Sequence, residues 1–202
     1  MNLGAVFAGA AAIAALGVAL PVAVQRRDLK GRAFVLMASL VAVWNAYFAL
    51  LFVLPCTEVT WKLLRVPAVA VALTPTAILF FFHVSSSKPR RLWHVALWVS
   101  LGLAIAVVLT NPLGLVVRSL TPGVWGCRSE AGPLYHLHTA NVILCAIATF
   151  WLCVTNLRVA QNARERLLAR FWLLSAAVAL PLGVTNLLPA YGVPMYPLGN
   201  LG

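Results

Sequence analysis

The chain has 202 residues, 62% of them hydrophobic and 9% charged, with a mean hydropathy of +0.94. Soluble domains carry about a quarter charged residues, and here fifteen Lys and Arg face only four Asp and Glu, for a net charge of +11. Long uncharged runs separate the bases, which argues against a nucleic-acid surface, and the apolar content argues against a soluble hydrolase or a secreted disulfide scaffold.

An apolar run of about 20 residues crosses the hydrocarbon core as a helix. Six runs qualify: 3–24, 33–54, 63–84, 92–110, 136–157 and 171–188. Backbone amides in lipid must be satisfied internally, so these runs predict helices. The expected fold class is all-α, a polytopic membrane helix bundle forming one domain over 1–202.

The first run is read as a retained span. A cleaved secretory signal carries its positive charge ahead of the apolar stretch, whereas the first base here is Arg26. Gly4, Ala8 and Ala12 recur at four-residue spacing, a pattern that permits close helix approach, inside the bundle or across a dimer. Arg26, Arg27, Lys30 and Arg32 follow, with Asp28 among them as a moderating charge. The second run carries Trp44-Asn45 midway, and Cys56 lies in the loop after it.

Lys62 and Arg65 lie near the start of the third run, Thr74-Pro75-Thr76 at its middle and His83 near its end. Lys88, Arg90 and Arg91 precede the fourth run, which opens on Trp93-His94. The longer loop that follows holds Arg118, Cys127, Arg128 and Glu130. The fifth run carries His136, His138, Asn141, Cys145 and Cys153, and the sixth carries Trp172, Pro181 and Asn186. Between them stand Arg158, Arg164, Glu165, Arg166 and Arg170.

The loops after the first, third and fifth runs thus hold eleven of the fifteen bases. Basic loops face the cytoplasm, so the N-terminus is expected outside. Trp93 and Trp172 then mark the inner interface and Trp61 and Tyr135 the outer one, either as an aromatic belt or as packing. Glu58 and Glu130 fall outside.

No catalytic constellation is present. The sequence shows no phosphate loop, nucleophile elbow or paired carboxylates, so no catalytic residue, metal site or cofactor is expected. A haem held between His83 and His94 is weighed against two interfacial polar residues, and the second reading is favoured. Cys145 and Cys153, two turns apart, read as small buried packers. Cys56 and Cys127 share the outer side, where a bridge and two free thiols both remain open. A retinal-type receptor is disfavoured, because no Lys lies inside a span.

Buried polar residues give the only hint of a ligand site. Trp44, Asn45, Thr74, Thr76, Asn141 and Asn186 could line an outward-facing pocket, with Pro75 and Pro181 kinking helices around it. The alternative is that they bond one another as packing glue.

The clearest motifs lie late in the chain. Thr185-Asn186-Leu187-Leu188-Pro189 is followed by Tyr191-Gly192 and then by Tyr196-Pro197-Leu198-Gly199-Asn200. Within this stretch Asn186, Pro189, Gly192, Tyr196, Pro197 and Gly199 resemble the approach to the last helix in the N-terminal seven-transmembrane region of bacterial sensor histidine kinases, a module also fused to diguanylate cyclases. Trp44-Asn45 and the stretch 132–135 echo the same family. The resemblance implies a truncated sensory input module in the bacterial inner membrane, with its seventh helix and cytoplasmic output domain missing. It also implies an unidentified ligand and a homodimeric parent. The alternatives are a small multi-pass transporter, which usually shows an internal repeat or ionisable midplane groups, and a membrane assembly protein. The partners expected are the lipid bilayer and that ligand, with no nucleic acid.

Overall fold

The computed structural model describes residues 2–86 and 91–201. Lys88 and Arg90 of the basic loop lie outside the described residues. Six long helices account for most of the chain: α1 (Leu3–Gln25), α2 (Leu29–Val53), α3 (Glu58–Ser85), α4 (Arg91–Thr110), α5 (Tyr135–Val159) and α6 (Ala163–Thr185). All six are long and apolar enough to cross a bilayer.

Hydropathy locates the helices but not their ends, because the ends are set by capping. Asp28 caps α2 through Gly31 N at 3.2 Å, so that helix begins four residues before its apolar run. Thr57 accepts from Thr60 N at 3.2 Å and starts α3 at Glu58 rather than at 63. Asn162 accepts from Glu165 N at 2.8 Å, and the Glu165 carboxylate accepts from Gln161 N at 3.0 Å. This reciprocal cap starts α6 eight residues early and makes Arg164, Arg166 and Arg170 helical. Orphan amides and the positive end of the helix dipole both favour an acid there. Asp28 and Glu165 therefore act at helix starts, and Asp28 also meets the Arg26 guanidinium at 3.9 Å, so it caps and offsets charge at once.

α3 is the central helix. Most of its apolar window is buried, almost none of that of α6 is, and α3 packs on α2, α4 and α5. Small residues let α1 lie close on α2: Gly4, Ala8, Ala12 and Ala19 are buried on one helix, and Ala33, Ala38 and Ala42 on the other. α6 leans mainly on α5.

The loop between α4 and α5 holds a structure that the hydropathy pattern did not suggest. An antiparallel hairpin of β1 (Val117–Gly123) and β2 (Gly126–Ala131) turns at Val124-Trp125 and is irregular between Val117 and Ser119. Cys127 is bonded to Cys56, with Cα atoms 5.4 Å apart, so the hairpin is tied to the loop between α2 and α3. Tyr47 and Ser129 exchange a hydroxyl hydrogen bond of 3.0 Å across the same contact.

Aromatic residues chosen as interface markers mostly face inward. Trp61, Trp93 and Tyr135 are buried in the core, and Trp172 stacks on Phe81 with ring centroids 5.0 Å apart. A large ring gains more from close packing than from a headgroup position when a gap between helices is available to fill.

Candidate functional site

The six residues proposed from sequence as one pocket separate into four places. Thr76, Asn141 and Cys145 join Ser100 in a buried polar knot linking α3, α4 and α5. Thr76 Oγ1 lies 2.7 Å from Ser100 Oγ, Asn141 Nδ2 donates to Thr76 Oγ1 at 3.4 Å, and Ser100 Oγ lies 3.0 Å from Cys145 Sγ. These groups satisfy one another, which is the glue reading. Ser100 is the member that sequence reasoning missed; a hydroxyl midway along the apolar run of α4 was its only signal. Thr74 turns back on its own helix and donates to Ala70 O at 2.7 Å.

Trp44 and Asn45 line a cavity of about 260 Å³ between α2, α3, α5 and α6. Asn45 Nδ2 donates to Val41 O at 2.9 Å. Among the described residues Asn45 Oδ1, Trp44 Nε1 and Thr149 Oγ1 have no partner, and all three residues line this cavity. Thr149 was not singled out from sequence.

Asn186 belongs to a larger cavity of about 550 Å³ at the hairpin end of the bundle. Its floor is Phe48, Leu51, Val71, Val107, Tyr135 and His138 from α2 to α5. The hairpin from Pro122 to Ser129 forms one wall, and the stretch 189–197 supplies another.

The late motif residues build that second wall. Asn186 caps α6 and its Oδ1 accepts from Gly199 N at 3.0 Å, while Thr185 Oγ1 accepts from Leu198 N at 2.9 Å. Pro189 opens a short 3₁₀ turn (Leu188–Tyr191), which Gly192 ends with a φ of +85°. That left-handed conformation favours glycine. Tyr196 stacks on Phe52 at 5.9 Å, meets Trp125 edge-on at 5.3 Å and reaches Gly4 O at 3.4 Å. Burial raises its phenol pKa. Pro197 lines the cavity directly. The motif is thus a return of the chain that closes the hairpin end over α1, α2 and α6.

Two polar side chains of this cavity carried no ligand reading in sequence. Arg128 is half-buried, and its Nε donates to Thr121 Oγ1 at 3.2 Å. His138 is buried, its ring meets Tyr135 edge-on at 5.7 Å, and its Nδ1 has no partner. At the opposite end, His83 and His94 touch edge-to-face with centroids 4.4 Å apart, which leaves no room for a metal between the rings. No cluster of three His, Cys, Asp or Glu side chains suited to a metal occurs among the described residues.

A comparison with protein families matches residues 7–201 to the N-terminal 7TM region of histidine kinase. The chain belongs to this family. No curated protein and no solved structure matches it. Family membership places it as a multi-span membrane sensory region of the histidine-kinase type.

Proposed function

We propose that this histidine-kinase 7TM region is the input module of a bacterial inner-membrane signalling protein and that its stimulus is a ligand bound at the hairpin end. The observation that carries the reading is the cavity of about 550 Å³ built by the family motif, the hairpin and the facing ends of α2 to α5 together. That volume lies within the usual range for small-molecule sites, about 300–1,000 Å³. The basic loops put the opposite end in the cytoplasm. The Cys56–Cys127 bridge supports the same orientation, since bridges persist on the oxidising side.

A ligand that binds two arrangements of the bundle unequally shifts their populations. The element best placed to report that shift is a seventh helix continuing from the 3₁₀ turn Leu198–Leu201, which touches both α1 and α6. Phosphotransfer or cyclase chemistry then belongs to an output domain of the parent, which we take to be a homodimer. The buried small-residue stripe of α1 is already used against α2, so dimer contacts lie elsewhere.

Two experiments test the proposal. The native gene read beyond codon 202 should encode another apolar span and then a kinase or cyclase; a stop directly after Gly202 refutes it. In intact cells a membrane-impermeant maleimide should label Val124→Cys and spare Lys30→Cys; the reverse pattern puts the cavity on the wrong side for an external stimulus.

A further inference from the structure

The hairpin-end cavity combines an apolar body with unanswered positive charge. Arg128 is the one side chain among its lining residues that is charged at neutral pH, and no Asp or Glu lines it. The ion pairs among the described residues are Arg26–Asp28 and Lys62–Glu58, so Arg128 has no carboxylate partner there. Glu130, two positions along the same strand, is engaged by Ser119 Oγ at 2.6 Å.

With Nε held by Thr121, the guanidinium keeps its terminal amino groups for another acceptor. Guanidinium groups pair with planar carboxylates through two parallel hydrogen bonds. A half-buried cation without a counter-ion is costly, and the cost is relieved when an anion arrives. His138 adds a second unanswered polar atom: it is 6% exposed and its Nδ1 has no partner. Elsewhere on the floor, Phe48, Leu51, Val71 and Val107 offer hydrocarbon and ring surface. A cationic ligand would find no countercharge here, and a strongly hydrated inorganic anion would gain nothing from that floor.

We propose that the cavity binds a small organic monoanion, a carboxylate on an apolar body, with the carboxylate on Arg128, a hydrogen bond from His138 and the body against the floor. This rests on the reading of the hairpin end as a ligand site and names the ligand's chemical class. The occupant is taken to be a soluble carboxylate and not the phosphate of a lipid headgroup.

The test is isothermal titration calorimetry on the full chain in dodecyl maltoside, which carries no phosphate. The probes are phenylacetate, 4-phenylbutyrate and octanoate, each against the corresponding neutral alcohol. At least one carboxylate should bind tenfold or more tightly than its alcohol. Arg128→Gln should weaken that carboxylate at least tenfold and leave the alcohol unchanged, Arg128→Lys should fall between, and His138→Phe should cost less than Arg128→Gln. An intact Cys56–Cys127 bridge and an unchanged melting temperature establish that each variant is folded.

Equal binding of acid and alcohol, both indifferent to Arg128→Gln, overturns the anionic class while leaving a ligand site in place. Absence of carboxylate binding at millimolar concentration overturns the proposal, as does phosphatidylglycerol binding at Arg128 in place of every carboxylate. Neither result touches the input-module reading, which is decided by the gene downstream and by maleimide labelling.

Discussion

Gly126 is the point at which the hairpin meets the bundle, and Gly126→Ala is the most direct challenge to the architecture of the cavity. Its φ is +132°, a conformation that residues with a side chain adopt only under strain, at a cost of about 1–3 kcal/mol. A Cβ at this position would lie 2.7 Å from Phe52 Cα, 3.0 Å from Leu51 O and 3.1 Å from Phe52 O. All three are backbone atoms of α2, so no side chain can rotate away, and such overpacking costs about 1–3 kcal/mol. The alternative is for the hairpin to lift, which sacrifices the Tyr47–Ser129 hydrogen bond of 3.0 Å, worth about 1 kcal/mol. The Cys56–Cys127 bridge also opposes that movement. The expected loss is about 2–6 kcal/mol, combining the strain and overpacking ranges. Thermal unfolding of the purified chain in detergent, followed by circular dichroism, measures it, with Gly102→Ala as control because nothing lies within 4 Å of a Cβ there. If the two variants melt together, the hairpin does not rest on α2 as described and the cavity loses that wall.

Gly199→Ala places a Cβ 2.8 Å from Gly183 Cα and from both terminal atoms of Asn186, so it should destabilise by about 1–3 kcal/mol. Gly183→Ala meets no atom within 4 Å and should be neutral or stabilising by up to about 1 kcal/mol, the same melts deciding both. Asn141→Leu removes a bond to Thr76 in the polar knot and should cost about 0.6–2 kcal/mol while leaving ligand affinity at the hairpin end unchanged. A selective loss of ligand binding with no change in melting would instead restore Asn141 to the site. Reducing the Cys56–Cys127 bridge, which spans 71 residues, should lower the melting temperature. The effect should stay below the roughly 4 kcal/mol that chain entropy gives such a loop in water, because the bilayer already holds the intervening helices side by side.

Hydropathy over about 20 residues is a local property, and for that reason six spans could be read directly from the chain. The distribution of bases is equally local, and the late Asn, Pro, Gly and Tyr positions carried the family. Cap geometry is local too, yet hydropathy passes over it, so Asp28, Thr57 and Glu165 moved the starts of α2, α3 and α6 without changing their number. What the sequence left open is the rotation of each helix about its axis and the path of the chain between helices.

Those decide which polar groups meet. Asn45 and Asn141 looked alike as amides within apolar runs, but packing turns Asn141 onto Thr76 and leaves Asn45 Oδ1 without a partner beside a different cavity. Arg128 and His138 are ten residues apart in an apparently simple loop-to-helix segment, and they come to share one cavity because the hairpin folds back over α2. Composition by itself determined that the chain spans a membrane, since the transfer of apolar side chains out of water depends on what they are. Only the tertiary structure decided where a ligand could sit, since a cavity is formed by contacts between residues distant in sequence.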